Sequence, residues 1–162
     1  MPAETPVRIR ELRADADITA AYPLMAMLRD RVRPETFLAE VRRQQMQGYE
    51  LIGLFEEGRM AALAGVRRTH TLSRGEHLFV DDLVTDEALR GRGHGRALLH
   101  WLAERCLSEG VQRIYLDSRN TAMTFYEGIG FQFLSSVPCC LELSTSSNPR
   151  SVTARDSQKE RS

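Results

Sequence analysis

The residues best suited to chemistry lie in LVTDEALRGRGHGRALLHWL (83–102), around Arg90, Gly91, Arg92, Gly93, His94, Gly95 and Arg96. An apolar run leads into three glycines, and a helical pattern follows them. The first turn of a helix leaves its N–H groups without partners and carries partial positive charge. Glycines remove the Cβ atoms that would hold an anion away from those groups, and arginines beside them add charge-assisted bonds. The chemistry on offer is the binding of a phosphate-bearing ligand.

Two common phosphate loops do not fit. No Gly-Lys-Ser/Thr triplet is present, so the loop is not a Walker A. A dinucleotide fingerprint begun at Gly91 or Gly93 needs a small residue at 96 or 98, where Arg96 and Leu98 stand. Elsewhere, Cys106, Cys139 and Cys140 are an odd set without ligand spacing, as free thiols in a reducing compartment would be. No group of His, Cys and acidic residues has the spacing of a metal site, so no metal is expected.

The elements that must position the loop follow from periodicity. VRIREL (7–12) alternates as a half-buried strand. Residues 15–31 carry helical spacing, which Pro23 either starts or kinks. A second helix is expected from Pro34 to just before Gly48. YELIGLFEE (49–57), a turn at Gly58 and MAALAGVRRTHTL (60–72) predict a hairpin, and EHLFVDDLVTD (76–86) another strand. A helix over 94–108 stops at Gly110, with Leu98, Leu99, Leu102 and Cys106 as its inward stripe. RIYLDS (113–118) is a strand, TAMTFYEGIG (121–130) a short helix, and FQFLSS with CCLELS a closing pair of strands. From Thr145 the composition turns polar, so a domain over 1–144 and a disordered tail over 145–162 are expected. The order predicts a mixed α+β (α/β) fold with helices packed on one sheet.

The loop and its neighbours resemble a known family. Arg90-x-x-Gly93-x-Gly95, after a strand and opening a helix, is similar to the acyl-CoA signature of the GNAT superfamily of N-acetyltransferases. VDDLVTDEALRGRGHGRALL resembles that fold's fourth strand, pyrophosphate loop and following helix as a block. AMTFYEGIGF (122–131) resembles its A-x-x-F-Y-x-x-x-G-F segment, and the element order from 7 to 144 agrees. The resemblance implies a central, mostly antiparallel mixed sheet, splayed between strands 4 and 5 and flanked by about four helices.

It also implies roles. The N–H groups of 91–96 would hold the pyrophosphate of acetyl-CoA, with Arg90 and Arg92 either touching phosphates or facing solvent. A bulged fourth strand would pair pantetheine through the backbone of Leu83 and Val84, Val84 polarising the thioester carbonyl. Asp81 and Asp82, adjacent on a strand and so expected on opposite faces, are the acids that would accept the amine's proton or bind the acceptor. Tyr126 matches the family tyrosine that protonates the departing thiolate. Asn120 is a weaker cofactor ligand, because the family's Asn-x-x-Ala spacing is one residue shorter here. His94 would add charge only when protonated, and His70 and His77 flank a turn on the acceptor side.

The activity implied is transfer of acetyl from acetyl-CoA to a primary amine, small molecule or peptide, in a ternary complex. The alternative is a GNAT-like acyl-CoA sensor or structural protein without efficient catalysis. Net charge is formally zero, which argues against nucleic acid or a membrane as partner. Without a membrane span or signal segment a cytoplasmic protein is expected, and a homodimer stays open.

Overall fold

The computed structural model describes residues 6–143. Its elements are β1 (Val7–Glu11), α1 (Asp15–Ala20), α2 (Tyr22–Leu28), α3 (Phe37–Gln45), β2 (Tyr49–Glu56), β3 (Arg59–Thr71), β4 (Gly75–Thr85), α4 (His94–Ser108), β5 (Ile114–Leu116) and α5 (Met123–Ile129). Pro23 begins a helix: it sits in the first turn of α2, and the expected single helix becomes two. The next helix starts at Phe37, later than expected, because Pro34 lies in a preceding turn whose Arg33 carbonyl accepts from the Phe37 N–H. The tail expected from Thr145 lies outside the described residues.

The strands form one sheet in the order β1-β2-β3-β4-β5, antiparallel except for the parallel pair β4–β5. Both faces are covered. Leu51, Leu63 and Val84 pack with Ile18, Leu24 and Val41 beneath α1 to α3. Ile52, Leu54, Ala62, Ala64, Val66 and Val80 pack with Leu98, Leu99, Leu102 and Cys106 of α4. Each buried leucine of that stripe stabilises the fold by roughly 1.5–3 kcal/mol, which fixes α4, and with it the glycine loop, against the sheet.

Two irregularities in β4 shape the site. Gly65 faces Asp82 but Val66 faces Val80, so Asp81 is an extra residue, a bulge. Pairing with β5 ends at Val80↔Leu116. Beyond it, Asp82 to Thr85 pair with β3 on one side and, among the described residues, have no strand on the other. The sheet is thus split open at the bulge.

The closing pair of strands is not formed. Residues 131–143 contain no strand, and Phe133, Leu134, Val137, Leu141 and Leu143 are exposed. Their apolar, strand-like composition expresses local propensity, but a strand exists only through a paired edge. Pro138 removes one donor, and none of these side chains gains burial to offset ordering.

Candidate active site

The glycine loop enters α4 through two left-handed residues, Gly91 (φ 80°) and Gly93 (φ 83°). A Cβ at either would meet nothing within 4 Å, so the glycines serve the backbone conformation and leave open space beside it. The first backbone bond returning to the loop runs from the Ala97 N–H to the Gly93 carbonyl at 2.9 Å; among the described turn and cap bonds, the N–H groups of 91–96 enter none. Gly95 differs. Its φ is not left-handed, and a Cβ there would lie 3.2 Å from Cζ of Phe125. Its absence lets α5 approach the loop.

The arginines are partly engaged by the protein. Arg90 Nε donates to the Thr85 carbonyl at 3.3 Å, and Arg96 Nη2 to the Gly128 carbonyl at 3.2 Å. Arg92 Nη1 lies 3.3 Å from Glu56 Oε2. The same carboxylate oxygen is 3.4 Å from Nε2 of His94, which is buried with no hydrogen bond completed at that nitrogen. His94 therefore packs beneath the loop, against the end of β2.

At the split, the bulge breaks the strand's alternation, and this corrects the expectation that Asp81 and Asp82 face opposite ways. Both serve one polar cluster on the α1–α3 face. Tyr49 donates its phenol proton to Asp82 Oδ2 at 2.8 Å. Arg29, at the C-terminal cap of α2, donates from Nε to Asp82 Oδ1 at 2.8 Å and from Nη2 to the Asp81 carbonyl at 2.6 Å. Arg67 grips Asp81 in bidentate fashion, at 2.6 and 2.8 Å. Burial, then the Asp82 carboxylate, pushes the Tyr49 phenol far above its ordinary range, so it is a permanent proton donor. Sequence reasoning missed Tyr49, Arg29 and Arg67. One signal was available: Gly65, a lone glycine within a strand, marks a close approach, and that approach is Tyr49.

Leu83 and Val84 lie on the split edge of β4, with Val84 buried. Tyr126 and Asn120 line a cleft of about 1050 Å³ between α4, β5, α5 and residues 132–138, whose lining does not include Asp81 or Asp82. Tyr126 packs edge-on between Phe125 and Phe131, and burial raises its phenol's pKa. Its hydroxyl enters none of the hydrogen bonds described. Of the histidines named on the acceptor side, His77 is buried, donates from Nδ1 to the Gly75 carbonyl at 2.8 Å, and packs on Tyr115, while His70 is exposed.

An open sheet edge running into a glycine loop at a helix start is the geometry that the sequence pattern implied. The model of the acetyltransferase (GNAT) family matches residues 17–131. The chain belongs to that family. It is 30% identical over 130 residues to YhdJ, an uncharacterized N-acetyltransferase of Bacillus subtilis, covering 77% of this chain and 92% of the relative. It is 34% identical over 77 residues to a glucosamine 6-phosphate N-acetyltransferase of Trypanosoma brucei brucei, covering 46% of this chain and 52% of that one. Its fold matches the aminoglycoside N-acetyltransferase AAC(6')-Iy, solved with CoA, at a TM-score of 0.74 and 15% identity over 88% of this chain and 98% of the other. Among the described residues no helix is long and apolar enough to cross a membrane, and no cluster of three His, Cys, Asp or Glu could hold a metal ion.

Proposed function

We propose that this GNAT protein is an acetyl-CoA-dependent N-acetyltransferase acting on a small primary amine, working as a single domain over 1–144. The observation that carries this reading is the run of N–H groups at 91–96, none of which meets a backbone acceptor in the described turn and cap bonds, continuous with an unpaired β4 edge. Six donors in a left-handed glycine turn at a helix start fit a pyrophosphate, and an open edge fits an extended amide chain. When bound, acetyl-CoA supplies an activated acyl group.

In the transfer, the amine nitrogen bonds the acetyl carbon while the carbon–sulfur bond breaks, so the amine loses a proton and the thiolate gains one. Leu83 and Val84 offer backbone to the pantetheine arm, with the Val84 N–H assigned to the thioester carbonyl. Asp81 and Asp82 sit at the head of the split, where an ammonium would arrive. Tyr126 holds its proton at neutral pH as any phenol does, and with a hydroxyl that enters none of the hydrogen bonds described it has that proton to give to the leaving sulfur. Asn120, exposed on the turn before α5, is the weakest of the proposed cofactor contacts.

A second reading, an acyl-CoA sensor, draws on one observation: Asp81 and Asp82 are both already held by arginines. The test is acetyl-CoA consumption over a broad amine panel, beside direct CoA binding by calorimetry. Transfer to any amine supports the enzyme. Tight CoA binding with transfer to none supports the sensor, and absence of CoA binding overturns both.

A further inference from the structure

The cluster at the split is a closed set of charges. Two carboxylates, Asp81 and Asp82, face two guanidiniums, Arg29 and Arg67, and the Tyr49 phenol adds a neutral donor. The bonds described use Nε and Nη2 of each arginine; Nη1 takes no part in them. Burial is uneven. The Asp82 side chain is 12% exposed, while Arg29 is 44% exposed. Arg67 is 40% exposed beside Asp81 at 27%. The carboxylates thus lie deeper and the guanidiniums line the entrance. A third arginine, Arg119, crosses from the loop after β5 to donate to the Leu28 carbonyl of α2 at 3.2 Å.

A purely cationic acceptor fits this arrangement poorly. To reach Asp82 its ammonium must loosen Arg29, which sets a third cation beside two guanidiniums and two carboxylates that already balance. An acceptor that carries its own anion solves this, because the displaced fork takes the carboxylate or phosphate while Asp82 takes the ammonium. Charge then stays balanced throughout the exchange.

We propose that the acceptor is an amine bearing a carboxylate or phosphate, its ammonium received at Asp82 and its anion at the entrance arginines, Arg29 first and Arg67 beside it. This rests on the N-acetyltransferase reading above, and it names the substrate class of that same site. Arg29 is the specificity-determining residue, and Tyr49 is a positioning residue that holds the Asp82 carboxylate still during the exchange.

The experiment uses matched pairs of amines with and without the anion: glycine and glycinamide, 4-aminobutyrate and butylamine, O-phosphoethanolamine and ethanolamine, extended to a larger library built the same way. Two readouts are taken on the full chain, acetyl transfer and binding to the CoA-saturated protein by thermal shift. The anionic members should be preferred by roughly ten- to hundredfold, the range of a charge-assisted fork. Arg29→Gln should collapse that preference ratio, and Arg29→Lys should restore part of it; circular dichroism shows whether each variant is folded. Tyr49→Phe should lower kcat/KM for the amine while leaving the KM for acetyl-CoA in place. Equal or better use of the neutral partners, a ratio that survives Arg29→Gln in a folded protein, or no amine binding at all would each overturn the proposal. If anionic amines bind preferentially and no transfer occurs, the substrate class stands and the catalytic reading fails.

Discussion

The phenol of Tyr49 lies directly over Gly65: a Cβ on Gly65 would stand 1.9 Å from its oxygen and 2.4 Å from its Cζ. The same Cβ would lie 2.6 Å from Asp82 Oδ2, so one missing methyl group makes room for the whole hydrogen bond. Gly65→Ala must move the ring, and overpacking of this kind costs about 1–3 kcal/mol. Tyr49→Phe should rescue it only in part, because with the oxygen gone the ring carbon still stands 2.4 Å from the added Cβ. Urea denaturation of the two single variants and the double variant measures both effects. A Gly65→Ala protein as stable as the parent would show that the phenol does not sit there.

The loop glycines should separate by mechanism. Gly93→Val places a branched residue at φ 83°, costing roughly 1–2 kcal/mol of backbone strain, and it fills the open space beside the N–H groups. CoA affinity should therefore fall by more than stability. Gly95→Ala meets only the rim of the Phe125 ring at 3.2 Å, and that ring is 39% exposed and free to shift. Its effect on CoA affinity should be small and should vanish in a Phe125→Ala background. Calorimetry with CoA on each variant decides. Equal losses at Gly93 and Gly95 would mean that both act in the same way.

Tyr126→Phe should lower kcat by about a hundredfold or more, within the range of general acid catalysis at roughly 10²–10⁴-fold, while CoA affinity holds. The phenyl ring keeps the edge contacts with Phe125 and Phe131, so packing is conserved and only the proton is removed. Steady-state kinetics with the best amine tests this, and unchanged turnover would remove Tyr126 from the acid role.

The regular skeleton was legible because it is local. Apolar spacing placed α4 at His94–Ser108, as the structure has it, and the hairpin of β2 and β3 turns through Glu57 and Gly58, both left-handed. What was hidden depends on register. A bulge at Asp81 is a mismatch between two strands, so the opposite-face expectation for Asp81 and Asp82, correct for a regular strand, failed at the one place where the strand is irregular. Arg29 and Arg67 were hidden for a related reason. They are 53 and 14 residues from their carboxylate partners, and among so many arginines nothing local distinguishes them. The closing strands failed on pairing, which no propensity contains.

Alkaline pH offers a test of Tyr49 that does not depend on activity. Its phenol is pushed far above the ordinary value by burial first, and then by the Asp82 carboxylate it bonds; Tyr126 is raised by burial alone. In the unfolded chain both titrate near 10. Above that pH the unfolded state gives up protons that the folded state keeps, so it binds fewer protons and stability falls as pH rises. The contribution of each phenol is complete below about pH 10, and above it each removes up to about 1.4 kcal/mol per pH unit. Tyr49→Phe should be less stable than the parent near neutral pH, since Asp82 loses a donor, yet its stability should fall less steeply from pH 10 to 11.5. The two curves should converge. Urea midpoints across that range measure the slopes, and parallel curves would mean that the Tyr49 phenol titrates as an exposed one does.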